Sequence, residues 1–214
     1  MGGGVVAEPP RAGANSTGRV FRSRILPKFL WVICSKQAAE LVDLGPVIGS
    51  NITFLGERIG CKIHVEDLYA DLDGHVRQGT LDRFPEFLGA RFPLPDESID
   101  GVLCWDVFDY LDPAAASVLA GKLMRVLRPG GALLAFFGTI AARDTCYTKY
   151  IIEDEEHLRS SFYPAADNRH RVLQNRDVIK LFDRLRVAES VLLKSHLREM
   201  LFKKPAISFS SSWR

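Results

Sequence analysis

The chain has 214 residues, 47% of them hydrophobic and 25% charged, with a formal net charge of +2. That length fits one domain with a sizeable core, and that balance excludes a bulk electrostatic case for nucleic acid. The longest apolar runs, Phe29 to Cys34 and Ala132 to Phe137, are too short to span a bilayer, and no secretory start is visible, so a cytoplasmic protein without membrane contact is expected.

Residues 1–24 are rich in Gly, Ala, Pro, Arg and Ser without an apolar period, and read as a flexible arm. A helix is predicted from about Pro27, since proline is tolerated in a first helical turn. Glu40-Leu41-Val42-Asp43 then reads as a short buried strand ending in an acid. It breaks into the turn Leu44-Gly45-Pro46-Val47-Ile48-Gly49, and a helix over residues 50–58 follows at once. Strand, glycine turn and helix together present backbone N–H groups to a ligand. Cys61 to Val65 is a second strand, again ending in acids, Glu66 and Asp67. Two strands with a helix between them form a βαβ unit, so Asp43 and Glu66 or Asp67 are expected to face one crevice.

Residues 68–88 read as a broken helix or a turn near Gly74, then an apolar segment at Phe84 to Leu88 that suits a weak strand or a loop. Ile99 to Trp105 is a buried strand. Asp106, Asp109 and Tyr110 follow it, and Asp112-Pro113 opens a helix. Pro129-Gly130-Gly131 ends that helix before the strand at Ala132 to Phe137. Residues 138–170 form a long polar insertion with several aromatics, of a length that is usually functional or holds short helices of its own. A helix near residues 176–184, two strands in a tight hairpin and a polar tail at 206–214 complete the chain. Cys34, Cys61, Cys104 and Cys146 form no C-x-x-C pair, and no His/Cys/Asp group has metal-ligand spacing, so no metal is expected. Cys34, Cys61 and Cys104 lie in or beside apolar runs and are expected to be buried.

Three stretches together resemble the class I S-adenosylmethionine-dependent methyltransferases, of the type 11-like group. The first is Val42-Asp43-Leu44-Gly45-Pro46-Val47-Ile48-Gly49, similar to that family's acid-x-Gly-x-Gly-x-Gly motif. The second is the acid after strand two. The third is Phe92-Pro93-Leu94-Pro95-Asp96-Glu97-Ser98-Ile99-Asp100, continued by Asp106-Val107-Phe108-Asp109 and by Arg125-Val126-Leu127-Arg128-Pro129-Gly130-Gly131. The resemblance implies an α/β, Rossmann-like, doubly wound and mostly parallel sheet over residues 25–205. Helices lie on both faces, and an antiparallel hairpin closes the chain.

It also implies S-adenosylmethionine as cofactor and a small-molecule acceptor. Asp43, Gly45, Pro46 and Gly49 would hold the methionine side, Glu66 or Asp67 the ribose hydroxyls, and Asp106 would line the site. Asp106, Asp109 and Tyr110 are candidates for catalysis. Trp105 and Tyr110 are expected in the core rather than stacked on adenine. Val47 stands in place of the middle glycine, and Leu88, Gly89 and Ala90 occupy the region of the adenine-holding acid. A non-catalytic binding or regulatory protein on this fold is therefore the alternative reading. A nicotinamide-dependent oxidoreductase is a third, which a reversed final strand between its neighbours would reject.

Overall fold

The computed structural model describes residues 18–91, 93–140, 145–166 and 171–206. Its elements, in chain order, begin with β1 (Arg19–Arg22), α1 (Leu26–Cys34), β2 (Glu40–Asp43) and α2 (Gly49–Thr53), which runs into a π-helical turn at Phe54–Arg58. Then come β3 (Lys62–Val65), α3 (Leu68–Gln78), α4 (Phe84–Ala90), β4 (Ile99–Trp105), α5 (Pro113–Val126) and β5 (Leu127–Gly138). The chain closes with β6 (Cys146–Ile152), β7 (His157–Pro164), α6 (Asn175–Leu181), β8 (Arg186–Leu192) and β9 (Leu197–Lys203).

The central sheet has the order β3-β2-β4-β5-β9-β8. Strands β3, β2, β4 and β5 are parallel, and β9 runs antiparallel to both β5 and β8. Alternate side chains feed two cores, as expected of strands buried on both faces. Leu41, Leu103, Leu134, Phe136 and Leu201 pack with α1 on one face. Val42, Val102, Cys104, Leu133, Phe137 and Phe202 pack with α3, α5 and α6 on the other. This is the expected Rossmann-like arrangement with helices on both faces. The reversed β9 between β5 and β8 rejects the oxidoreductase reading.

Two local expectations fail for identifiable reasons. Residues 68–78 form one unbroken helix, and the chain reverses at Gly79, whose φ of 68° closes its C-terminus. Phe84 to Leu88 is neither strand nor loop. Pro85 sits in a first helical turn, and Phe84 and Leu88, four residues apart, are both buried on one face of α4. The parallel sheet therefore ends at β3. Among the cysteines, Cys61 and Cys104 are buried, whereas Cys34 is exposed at the end of α1.

Among its described residues, the insertion is a β-hairpin and not a set of short helices. Strand β7 lies between β6 and β1, making a second, three-stranded sheet. Residues 19–22 of the expected arm are thus a strand, paired from Arg19 with Ser160 to Arg22 with His157. Residues 1–17 and 207–214 lie outside the described residues. No helix among the described residues is long and apolar enough to cross a membrane.

Asn51 on α2 fixes this second sheet to the first. Its side chain is 2% exposed, donates from Nδ2 to the carbonyl of Tyr150 (2.9 Å) and accepts at Oδ1 from the N–H of Ile152 (2.8 Å). An amide supplies both a donor and an acceptor, which the bare edge of β6 requires. Asn51→Ala leaves both backbone groups buried without those partners, at a cost of about 2–4 kcal/mol. Hydrogen exchange is expected to speed up across β6 and β7 while β4 and β5 keep their protection. Uniform acceleration throughout the protein would contradict this local role.

Candidate functional site

The C-terminal ends of β2, β3 and β4 bring the sequence candidates together. Asp43 ends β2 and is 3% exposed. Its Oδ1 accepts from the N–H of Gly45 (2.9 Å) and from the indole N–H of Trp105 (2.6 Å). Burial pushes this carboxyl from 3.8 up to about 6, against the opposing pull of those two hydrogen bonds.

Trp105 ends β4 with φ of 49°, an uncommon backbone region for a bulky side chain. Its ring stacks on Tyr150 of β6, centroids 5.4 Å apart and planes inclined by 10°. The indole lies directly over the glycine turn. A Cβ on Gly45 would meet Trp105 Cδ1 at 2.7 Å. Glycine is needed at 45 because tryptophan occupies the space above it.

Asp106 lies beneath the hairpin and is 4% exposed. The hydroxyls of Tyr69 (2.5 Å) and Tyr150 (3.1 Å) donate to its two oxygens. Burial first, then the nearby Asp106 carboxylate, pushes both phenols well above their ordinary range. Asp109 is fully buried. It accepts from the N–H of Gly138 at Oδ2 (2.7 Å) and from the N–H of Arg171 at its carbonyl (2.5 Å). Tyr110 packs edge-on against Tyr69 and Tyr147 and donates to the carbonyl of Cys146 (3.1 Å).

The acids after β3 have other partners. Glu66 forms an ion pair with Arg91 (2.7 Å), which also holds Asp71 (3.0 Å). Asp67 caps α3 by accepting from the N–H of Ala70 (3.0 Å). Pro46 and Gly49 lie along the turn into α2. Val47 takes no positive φ and is 66% exposed, so crowding of the crevice comes from Trp105 and not from the valine.

A cavity of about 540 Å³ opens beside this cluster, between the C-terminal ends of β4 and β5 and the second sheet. Asp106, Asp109, Tyr110 and Tyr150 line it, together with Phe162 of β7 and Lys194 of the β8–β9 turn. No residue from 43 to 49, nor Glu66 or Asp67, borders it. His157 pairs with Asp154 in the β6–β7 turn and does not border it either, while His170 lies outside the described residues. No cluster of three or more His, Cys, Asp or Glu suited to a metal occurs among the described residues.

Residues 42–135 match the model of the methyltransferase domain family. This segment, somewhat under half of the chain, is similar to that methyltransferase domain. Uncharacterised methyltransferases of Mycobacterium tuberculosis and Mycobacterium bovis are 36% identical over 98 residues, covering 45% of this chain and 38% of theirs. The chain thus matches well under half the length of those relatives.

Among solved structures, a Pyrococcus horikoshii protein aligns over 85% of this chain and 89% of its own, with TM-score 0.51 and 16% identity. A Burkholderia thailandensis 1,6-didemethyltoxoflavin-N1-methyltransferase, solved with that compound and S-adenosylhomocysteine, covers 85% of this chain and 77% of its own. Its TM-score is 0.50 at 13% identity. These two likenesses concern the fold.

The likeness to a methyltransferase domain implies S-adenosylmethionine, and in this structure side chains cover the glycine turn where its methionine end is expected. Trp105 fills the cradle above Gly45, Asp43 is engaged by two N–H donors, and Arg91 neutralises Glu66. Arg91, Tyr69 and Tyr150 hold Glu66 and Asp106 and were not among the sequence candidates. The sequence offered only a partial signal, in the Tyr147 and Tyr150 pair of the insertion. Trp105 and Tyr110 were expected in the core and are there, but the consequence of Trp105 for the glycine turn depends on a contact between distant segments.

Asp43 gives this cluster a pH dependence. The folded chain holds the Asp43 proton more tightly than the unfolded chain, so the contribution of this group is most favourable below pH 4. It falls as pH rises from about 4 to about 6, by roughly 3 kcal/mol, and stays low above that. Asp43→Asn can keep Oδ1 as acceptor for both N–H groups without the charge. Urea denaturation should show the variant gaining stability relative to the parent between pH 4 and pH 7. A constant difference across that interval would show that Asp43 titrates normally.

Proposed function

We propose that the chain is an S-adenosylmethionine-dependent methyltransferase acting on a small molecule. The observation that carries this reading is the placement of the family match. Its acid and glycine turn lie at the carboxyl ends of the parallel strands, where open α/β sheets gather ligands. The acceptor's place, on this reading, is the cavity beside Asp106, whose volume is within the usual range for small-molecule sites. Asp109 would orient the cavity floor through Gly138, and Asp106 would be held in place by two tyrosine hydroxyls. Tyr110 is a less suitable general base, since burial drives its phenol far above the ordinary range.

One observation favours the second reading, a non-catalytic binding protein on the same domain. It is the indole of Trp105 over Gly45, which blocks the turn in the arrangement described.

Calorimetry with S-adenosylhomocysteine separates the two readings when the parent is compared with Trp105→Gly. Glycine relieves the positive φ and vacates the crevice. If Trp105 is a movable cover, the parent binds weakly and the glycine variant binds at least about tenfold more tightly, a gain of roughly 1.4 kcal/mol. Absence of binding by both proteins at about 1 mM ligand, a concentration that detects affinities near −4 kcal/mol, would reject the methyltransferase reading.

A further inference from the structure

The cavity between the two sheets carries its own chemical signature. Its wall includes Phe162, 60% exposed on β7, and Ile140, 57% exposed just after β5. Two large apolar side chains left open among its lining residues favour a ligand with an apolar body. The charges around the cavity divide by commitment. At its floor, Asp106 accepts from Tyr69 and Tyr150, and Asp109 accepts from the backbone of Gly138. Arg22 is paired with Glu156 (2.9 Å). Arg19 and Lys194 also line the cavity and are exposed, and neither has an ion-pair partner among the described residues. The charge left available at this opening is therefore positive, while the acids below are already hydrogen-bonded.

We propose that this cavity binds a small molecule with an apolar ring system and one acidic group. The ring lies between Phe162 and Ile140, and the acid meets Arg19 and Lys194. That this molecule is also the methyl acceptor rests on the methyltransferase reading, whereas its binding does not. Arg19 enters the site only because β1 pairs with β7, so the segment before the family match supplies half of the anion recognition.

Two fluorescent probes of similar shape test this on the full chain. Anilinonaphthalene sulfonate carries the acid, and phenylnaphthylamine lacks it. Both should bind saturably at one site. The Arg19→Ala and Lys194→Ala double variant should lose about tenfold in affinity for the sulfonate, as expected for lost charge-assisted contacts, and keep its affinity for the neutral probe within about threefold. Phe162→Ser should weaken both probes. These three side chains are exposed, so thermal unfolding of the variants should match the parent. Equal effects of the double variant on both probes, or no effect on either, would overturn the acidic-ligand assignment. Unchanged binding of both probes by Phe162→Ser would place them elsewhere and overturn the site. A flat titration with S-adenosylhomocysteine alongside intact probe binding would remove the methyltransferase reading and leave this proposal standing.

Discussion

The indole of Trp105 joins three parts of the chain at one point. Its N–H binds Asp43 at the end of β2, its edge closes over Gly45, and its face stacks on Tyr150 of the hairpin. Each contact constrains the others. Asp43 can remain buried because two N–H groups donate to it, and the glycine turn takes its shape beneath a ring rather than beneath solvent. The positive φ at residue 105 is the cost of aiming the indole there, about 1–3 kcal/mol by the usual scale for such backbone strain.

The second sheet extends this point into a roof. Strand β6 brings Tyr147 against Tyr69 and Tyr110 and Tyr150 onto Trp105, and the tyrosine hydroxyls find acceptors in Asp73, Asp106 and the backbone. Buried tyrosines generally require such partners. Asn51 then anchors β6 to α2, on the helix that follows the glycine turn. The ligand end of the parallel sheet is thus divided in two. One side is an aromatic plug over the glycine turn, and the other is an open cavity with apolar walls and a cationic rim.

The family match covers the strands, the turn and the Arg-Val-Leu-Arg-Pro-Gly-Gly segment. Within that segment Arg128 holds Asp100 (2.5 Å), and a Cβ on Gly131 would press on backbone oxygens at 2.8–2.9 Å. These are requirements of the scaffold. The cavity, by contrast, draws Arg19, Phe162 and Lys194 from outside the matched residues. The scaffold lies within the match, whereas the cavity combines Asp106, Asp109 and Tyr110 from the match with residues outside it, as is usual when one fold serves many functions.

By itself the sequence determined the parallel βαβ order, the acids at the strand ends, the helix opened by Asp112-Pro113 and the closing hairpin. These follow from short-range periodicity, proline and glycine placement, and capping, all local along the chain. It did not reveal α4, because Phe84, Pro85 and Leu88 suit a short apolar strand as well as a helical face until α5 lies against them. Nor did it place β1 and the insertion in one sheet, since pairing Arg19 with Ser160 joins residues far apart in the chain. Only the tertiary structure decided that Glu66 meets Arg91 and that Trp105 covers Gly45. A side chain's partner depends on which distant segment packs against it, and local patterns carry no record of that choice.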